Sequence, residues 1–254
     1  MGHERRIPTD NSLAPPGIAD DGDAMAFCTT CAFGAACTAE GYDKNALREL
    51  HCLVEHTGIY HEGDYVFRKN TPFTAIYAMR AGMVKTCLVD ERGREHVLGF
   101  FLPGEMIGLN AIYPERYPCD AIALDTVTLC QFSFPAMVTL STRMPTLQQQ
   151  LFKLMSKDIG NASLLAGDHS ADERLAAFLI DLGARYAARG FSATRFRLSM
   201  SRTDIANYLH LAAETVSRVL RRLQNQNLIH VSGREVEIVD PAGMNALARC
   251  ILQP

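Results

Sequence analysis

The chain has no apolar run long enough to cross a bilayer. Nowhere in its 254 residues is there a stretch approaching the ~20 apolar residues of a membrane helix, so no membrane partner is expected. It also lacks an excess of basic charge. The formal net charge is −3, so any affinity for nucleic acid must come from a local patch. Met1 to Ala26 lacks the apolar centre of a secretory signal. That segment carries Pro8, Pro15, Pro16, Gly17 and the acids Asp20, Asp21 and Asp23. Residues 1–27 are therefore expected to be a disordered lead-in, and the protein is expected in the cytoplasm. No nucleophile–base pair or phosphate-cradling loop stands out, which argues against an enzyme. His61 and His96 are isolated in strand-like contexts and read as ordinary surface or packed residues.

Cysteine, by contrast, is plentiful: Cys28, Cys31, Cys37, Cys52, Cys87, Cys119, Cys130 and Cys250. A secreted, disulfide-stapled protein is one reading. The missing export signal and a length sufficient for an ordinary core favour ligation of a metal or cluster by a subset of thiols. Cys28-Thr29-Thr30-Cys31-Ala32-Phe33-Gly34-Ala35-Ala36-Cys37 has C-x2-C-x5-C spacing with mostly small residues between. Such a loop can wrap tightly and bring three sulfurs onto one object. Three thiolates are one short of what a tetrahedral zinc or an iron–sulfur cluster wants, so a fourth ligand must come from elsewhere. Local spacing does not choose it; Cys119, which a proline turn is expected to expose, is one candidate. Cys52 and Cys87 lie in apolar patterns and read as small core residues.

The chain divides into four parts. After the lead-in, residues 28–142 hold the cysteine loop and a strand-rich domain. Residues 44–56 look like a short helix. From about 59 to 134, short apolar runs such as Tyr65-Val66-Phe67, Ala75–Met79, Met83–Val89 and His96–Phe101 alternate with turn signals at Gly63, Gly82, Gly93 and Gly104. Many short strands at regular spacing predict a sandwich or roll. Residues 143–170 turn helical, with Gln148, Phe152, Met155, Ile159, Ala162 and Ala166 recurring at alternating steps of four and three. That is a heptad seam for a second copy of the chain; a helix packed on its own core is the other reading. Small Ala162 and Ala166 would permit close approach.

Residues 171–254 begin with a helix from Asp172 to about Ala188, stopped by Gly190. Arg197-Leu198-Ser199-Met200 is strand-like. Ser201 is a plausible N-cap for a helix through Leu209. A tight turn and a second helix, Ala213 to Asn225, follow, and then a hairpin of Leu228–Val231 with Val236–Val239. This order is that of a winged helix. Ile205, Leu209, Val216 and Leu220 are spaced to pin the two helices together, with small Ala206 at their crossing. Glu214, Ser217, Arg218, Arg221 and Arg222 face away from that core. A carboxylate can accept from cytosine, an arginine can fork onto guanine and a serine can serve either partner. Residues 195–234 hold seven arginines against two acids, Asp204 and Glu214, and arginines late in the helix suit phosphates. His210 occupies a turn position where positive φ is expected, and Ala212 replaces the usual hydroxyl cap.

Together these residues resemble the CRP/FNR superfamily of bacterial transcription regulators, specifically its oxygen-sensing FNR branch. The likeness spans residues 28 to about 250. It rests on the C-x2-C-x5-C motif, Cys130 in Val127-Thr128-Leu129-Cys130-Gln131-Phe132, Glu173-Arg174-Leu175-Ala176-Ala177-Phe178, and Glu214-Thr215-Val216-Ser217-Arg218. The resemblance implies an α+β fold: a cyclic-nucleotide-binding-like β-roll, a long dimerisation helix and a C-terminal winged helix-turn-helix. It implies that Cys28, Cys31, Cys37 and Cys130 bind a [4Fe–4S] cluster, and that oxygen destroys the cluster, weakens the homodimer and releases DNA. It further implies palindromic double-stranded sites with TTGAT-like halves and RNA polymerase as a partner. A cyclic-nucleotide receptor is the nearest alternative. Glu105 in Pro103-Gly104-Glu105 could touch a ribose, but Pro118-Cys119 replaces the Arg-Ser pair that holds the cyclic phosphate, so cyclic nucleotide is not expected. The segment from Ile159 to Asp172 looks about three residues shorter than in well-known members. Ala162 falls where some members carry an acid that keeps the apo-form monomeric.

Overall fold

In a computed structural model, described for residues 54–142, 145–164 and 168–252, the strand-rich segment forms two four-stranded antiparallel sheets. One has the order β1-β8-β3-β6, from β1 (Val54–His56), β3 (Ala75–Ala81), β6 (Met106–Ile107) and β8 (Thr128–Ser133). The other has the order β2-β7-β4-β5, from β2 (Tyr65–Phe67), β4 (Val84–Val89), β5 (Glu95–Phe101) and β7 (Asp120–Ala123). Val66, Phe67, Tyr77, Met79, Val84, Tyr117, Val127 and Leu129 fill the space between them. The β3–β4 turn needs Gly82: its φ is +78°, and a Cβ there would meet the Thr126 carbonyl at 2.3 Å.

Two helices follow, α1 (Phe134–Ser141) and α2 (Pro145–Leu164). Leu147 is fully buried against Ile76, Ala78 and Phe132, and Leu151 and Leu154 pack on the same cluster. The expected seam lies on another stripe of α2. Phe152 is 61% and Met155 37% exposed, an apolar stripe left uncovered in one chain. Ile159 and Ala162 fall within the helix, and Ala166 lies outside the described residues.

The last part opens with α3 (Ala171–Ala187), where Ser170 and Glu173 form a reciprocal capping box that satisfies two otherwise orphan amide donors. Gly190 beyond it has φ +81°. Within α3, Gly183 lets the chain pass close: a Cβ there would stand 2.1 Å from the Ala193 carbonyl oxygen. Next come β9 (Arg195–Arg197), α4 (Arg202–Tyr208), α5 (Ala213–Asn225), β10 (Ile229–Ser232), β11 (Glu235–Ile238) and α6 (Pro241–Leu252). The wing sheet has the order β10-β11-β9, and α6 returns Met244, Ala248 and Ile251 to the core beside Leu175, Leu179 and Leu182.

Two expectations change. The helix expected over 44–56 does not include its last three residues, because Val54, Glu55 and His56 form β1, paired with Phe132, Gln131 and Cys130. Pairing with a distant strand overrides local helical preference there; residues 44–53 lie outside the described part. The strand expected at 197–200 sits earlier, at Arg195–Arg197, in register with Glu235–Glu237. Ser199 and Met200 instead lead into the Ser201 cap. Helices α1 and α6 and strands β6 and β7 were not anticipated by the sequence pattern.

Candidate functional site

The reading element is built by burial on one side. Val216, Val219, Leu220 and Leu223 of α5 are buried, as are Ile205 and Ala206 of α4 and Leu209 just after it, so the two helices lock together through their apolar faces. His210 takes φ +55° in the turn, as expected for that position, and the Leu211 amide closes it by donating to the Ala206 carbonyl at 2.8 Å. Ala212 makes no side-chain cap for α5.

The outward face carries the five residues expected there, in different states. Glu214 and Arg218 are strongly exposed, one helical turn apart, with Arg218 Nη1 3.9 Å from Glu214 Oε1. At that separation on a wet surface the pair is weak, and both groups remain available to a base edge. Arg221 is exposed. Ser217 is half-buried; its hydroxyl donates to the Ala213 carbonyl at 3.1 Å and accepts from Arg202 Nη1 at 3.3 Å. Arg222 forks onto Asp172, with Nε 2.8 Å from Oδ1 and Nη2 on Oδ2, so its charge ties α5 to the start of α3. The roles of Arg202 and Asp172 beside the reading helix were not legible locally, since the Asp172–Arg222 pair spans 50 residues.

Cys28, Cys31, Cys37 and Cys52 lie outside the described residues. Cys130 lies on β8, half-buried, opposite His56 of β1 and Ala78 of β3. It packs against the Ile76–Ala78–Phe132–Leu147 cluster that also receives Leu151 and Leu154 of α2. Cys119 differs from expectation. It is 0% exposed, with Asn110 Nδ2 3.8 Å from its sulfur, because the turn at Pro118 feeds straight into β7 and aims the thiol inward. Burial pushes the Cys119 thiol up, which disfavours the thiolate needed for ligation. Cys87 is buried as expected, and burial, followed by the Glu95 charge, pushes its pKa up to about 12. Cys250 is exposed on α6. Among the described residues no three His, Cys, Asp or Glu side chains converge as a metal-binding group.

Glu105, the one residue of the cassette that could touch a ribose in a cyclic-nucleotide receptor, is committed elsewhere. Its Oε2 is 2.5 Å from Arg185 Nη2 and its Oε1 2.9 Å from Arg189 Nη2. A cavity of about 500 Å³ lies beside it, between roll and winged domain, with Phe100, Leu109, Phe178 and Tyr208 in its wall. Among the described residues no helix is long and apolar enough to cross a membrane.

An effector roll, a helix with an uncovered apolar stripe and a winged helix-turn-helix with a basic reading face define a DNA-binding regulator class. Two family models match in the same order: a cyclic nucleotide-binding domain over residues 59–143 and a Crp-like helix-turn-helix domain over 173–247. The chain is 41% identical over 227 residues to the transcriptional activator protein anr of Pseudomonas aeruginosa, covering 88% of this chain and 93% of that one. It is 37% identical over 230 residues to the anaerobic regulatory protein of Pasteurella multocida, covering 89% and 84%. Among solved structures, FixK2 from Bradyrhizobium japonicum matches with a TM-score of 0.70 and 25% identity, over 76% of this chain and 96% of that one. The chain belongs to the CRP/FNR family of transcription regulators.

Proposed function

We propose that the protein is a cytoplasmic, oxygen-responsive transcription activator that binds palindromic DNA as a homodimer and engages RNA polymerase. In this reading Cys28, Cys31, Cys37 and Cys130 hold a [4Fe–4S] cluster. One observation carries the reading most: Cys130 sits half-buried on β8, directly across from β1, the strand that continues the cysteine-bearing segment. The donor set also fits. Cys87 and Cys119 are sealed with raised thiols, whereas Cys130 borders both the incoming strand and the seat of α2. The cluster would supply an oxygen-labile cross-link between the N-terminal loop and the roll.

The protein's own residues would carry the signal onward. Cys130 shares its apolar neighbours with Leu151 and Leu154, so a disturbance at β8 reaches the helix whose other stripe presents Phe152 and Met155. With Ile159, Ala162 and Ala166 those residues would form the seam. Seam closure places two copies of α5, and Glu214, Ser217 and Arg218 would read TTGAT-like halves, with Arg221 on phosphate. The names of the relatives, a transcriptional activator and an anaerobic regulatory protein, support the anaerobic direction of the switch.

The visible absorption of anaerobically purified protein tests this. A coloured protein that bleaches in air and loses DNA is the expected result. A colourless protein holding zinc on the same cysteines would replace the sensor with a structural metal site.

A further inference from the structure

Lys85 is the least exposed charged residue among the described residues, at 9%, beside buried Thr86. Its ammonium bridges two elements distant in sequence. Nζ lies 2.5 Å from Glu95 Oε1 on β5 of its own sheet and 2.7 Å from Asp204 Oδ1 on α4, the first helix of the DNA-binding motif. Burial acts to lower the Lys85 pKa, but hydrogen bonds and charge from Asp204 and Glu95 outweigh it, and the pKa is raised. Asp204 has a second task, since its Oδ2 accepts from the Ser201 amide at 3.0 Å and hydroxyl at 2.6 Å. The cap that starts α4 and the link to the roll therefore share one carboxylate.

A second polar clamp lies one turn along. Asn207 donates its amide to the Glu95 carbonyl and accepts from the Val97 amide at 3.4 Å. Ser199 donates to Asp125 at 2.7 Å, and Tyr208 stacks edge-on with Phe100 at 5.3 Å between centroids. The docked face of α4 is thus held by the β4–β5 hairpin, while Glu214, Arg218 and Arg221 of α5 stay exposed. Docking does not cover the reader; it fixes where the reader points. A two-fold dimer on a palindrome needs both reading helices at a set separation and angle. Covalently, residues 165–170 join α2 to the winged domain that carries the reader.

We propose that Lys85 is a positioning residue for half-site spacing. By pairing with Asp204 it locks the helix-turn-helix to the effector roll of the same subunit, so the dimer's tolerance for spacing is set within each subunit and not by the seam alone. This rests on the reading of the chain as a dimeric palindrome binder.

The test uses the full chain, anaerobic and cluster-loaded, on three duplexes: a palindrome of TTGAT-like halves about one helical turn apart, the same palindrome with one base pair inserted, and a single half-site. For the unaltered protein the insertion should weaken binding about tenfold or more, as a rigid pair of readers demands. Lys85→Met should bind the first palindrome several-fold more weakly, show only a two- to threefold difference (roughly) between the two spacings, and keep its half-site affinity. Lys85→Arg should restore discrimination. Lys85→Met that folds and discriminates spacing like the unaltered protein overturns the proposal. If Lys85→Met does not fold, Asn207→Ala decides, because it loosens the same docking while leaving the Asp204 cap in place; unchanged spacing discrimination there overturns it equally. Failure of the unaltered protein to bind even the half-site would instead count against the DNA reading on which the proposal stands.

Discussion

Glu105 Oε2 stands 2.5 Å from Arg185 Nη2, an ion pair across 80 residues that joins the effector roll to the winged domain. Burial acts to raise the Glu105 carboxyl pKa, but Arg185, the Leu102 amide and Arg189 outweigh it, and its pKa is lowered. A lowered folded value means the pair stabilises the fold above the ordinary carboxylate pKa of 4.5 and is lost as pH falls through the folded value. Glu105→Gln should cost about 3–5 kcal/mol at neutral pH, since it leaves buried guanidinium charge unpaired. The gap between variant and parent should narrow in acid. Urea titrations at pH 7 and in the acid limb check this; an equal gap at both would contradict it.

Ligand identity separates the cysteines. Cys→Ser at 28, 31, 37 or 130 should each abolish stable cluster binding, because three thiolates leave one iron open. Changes at 52, 87, 119 and 250 should not. Anaerobic absorption spectra of the eight variants decide it, and a full cluster in Cys130→Ser with loss in Cys119→Ser would reverse the assignment.

On DNA, Glu214→Ala and Arg218→Ala should each cost roughly 1–3 kcal/mol and relax preference at the G·C pair of the half-site. Arg221→Ala should weaken all sequences alike and reduce the salt slope by about one. Base-by-base competition at several salt concentrations measures both effects, and unchanged base preference in Arg218→Ala would defeat the readout.

Ile159→Glu should place like charges across the two-fold seam and give a monomer with weak DNA binding and an intact cluster. Anaerobic sedimentation with a DNA titration tests it. A dimeric variant that binds normally removes the seam. A parent protein that stays dimeric on DNA in air, its cluster gone, removes the coupling.

Thiol reactivity should follow burial. Among the cysteines of the described residues, Cys250 should label first in the native state. Cys87, pushed up to about 12, and Cys119 should label only as the protein unfolds. Time-resolved mass spectrometry of alkylated peptides reads the order directly.

The winged helix was the more legible half because its signals are local. Ser201 caps α4 as expected, with Asp204 completing the box, His210 takes positive φ, and the apolar positions of α4 and α5 are buried at their helical period. In the roll, β2 to β5 were legible as strands, but β1, β6 and β7 were not, and neither was the pairing: nothing near Val54 announces a partner at Phe132. The site divides the same way. Glu214 and Arg218 emerge from helix periodicity. The inward turn of Cys119, the capture of Glu105 by Arg185 and the hold of Asp172 on Arg222 depend on contacts between segments 50 or more residues apart or on a strand's direction. Local pattern carries no trace of those.

Among the described residues strand β1 has β8 as its only ladder partner, with His56 opposite Cys130. During synthesis the cysteine-bearing segment leaves the ribosome long before that partner exists. The β4–β5 hairpin can close early because its strands are neighbours in sequence, whereas β1 must wait until the roll is nearly complete, as pairings of high sequence separation do. The earliest of the described strands to be made is thus among the last to be seated, and a four-cysteine site that includes Cys130 would be completed only once the roll that presents Cys130 has formed. Delivery of the inorganic group would then be a step of maturation, following the folding of the domain that receives it.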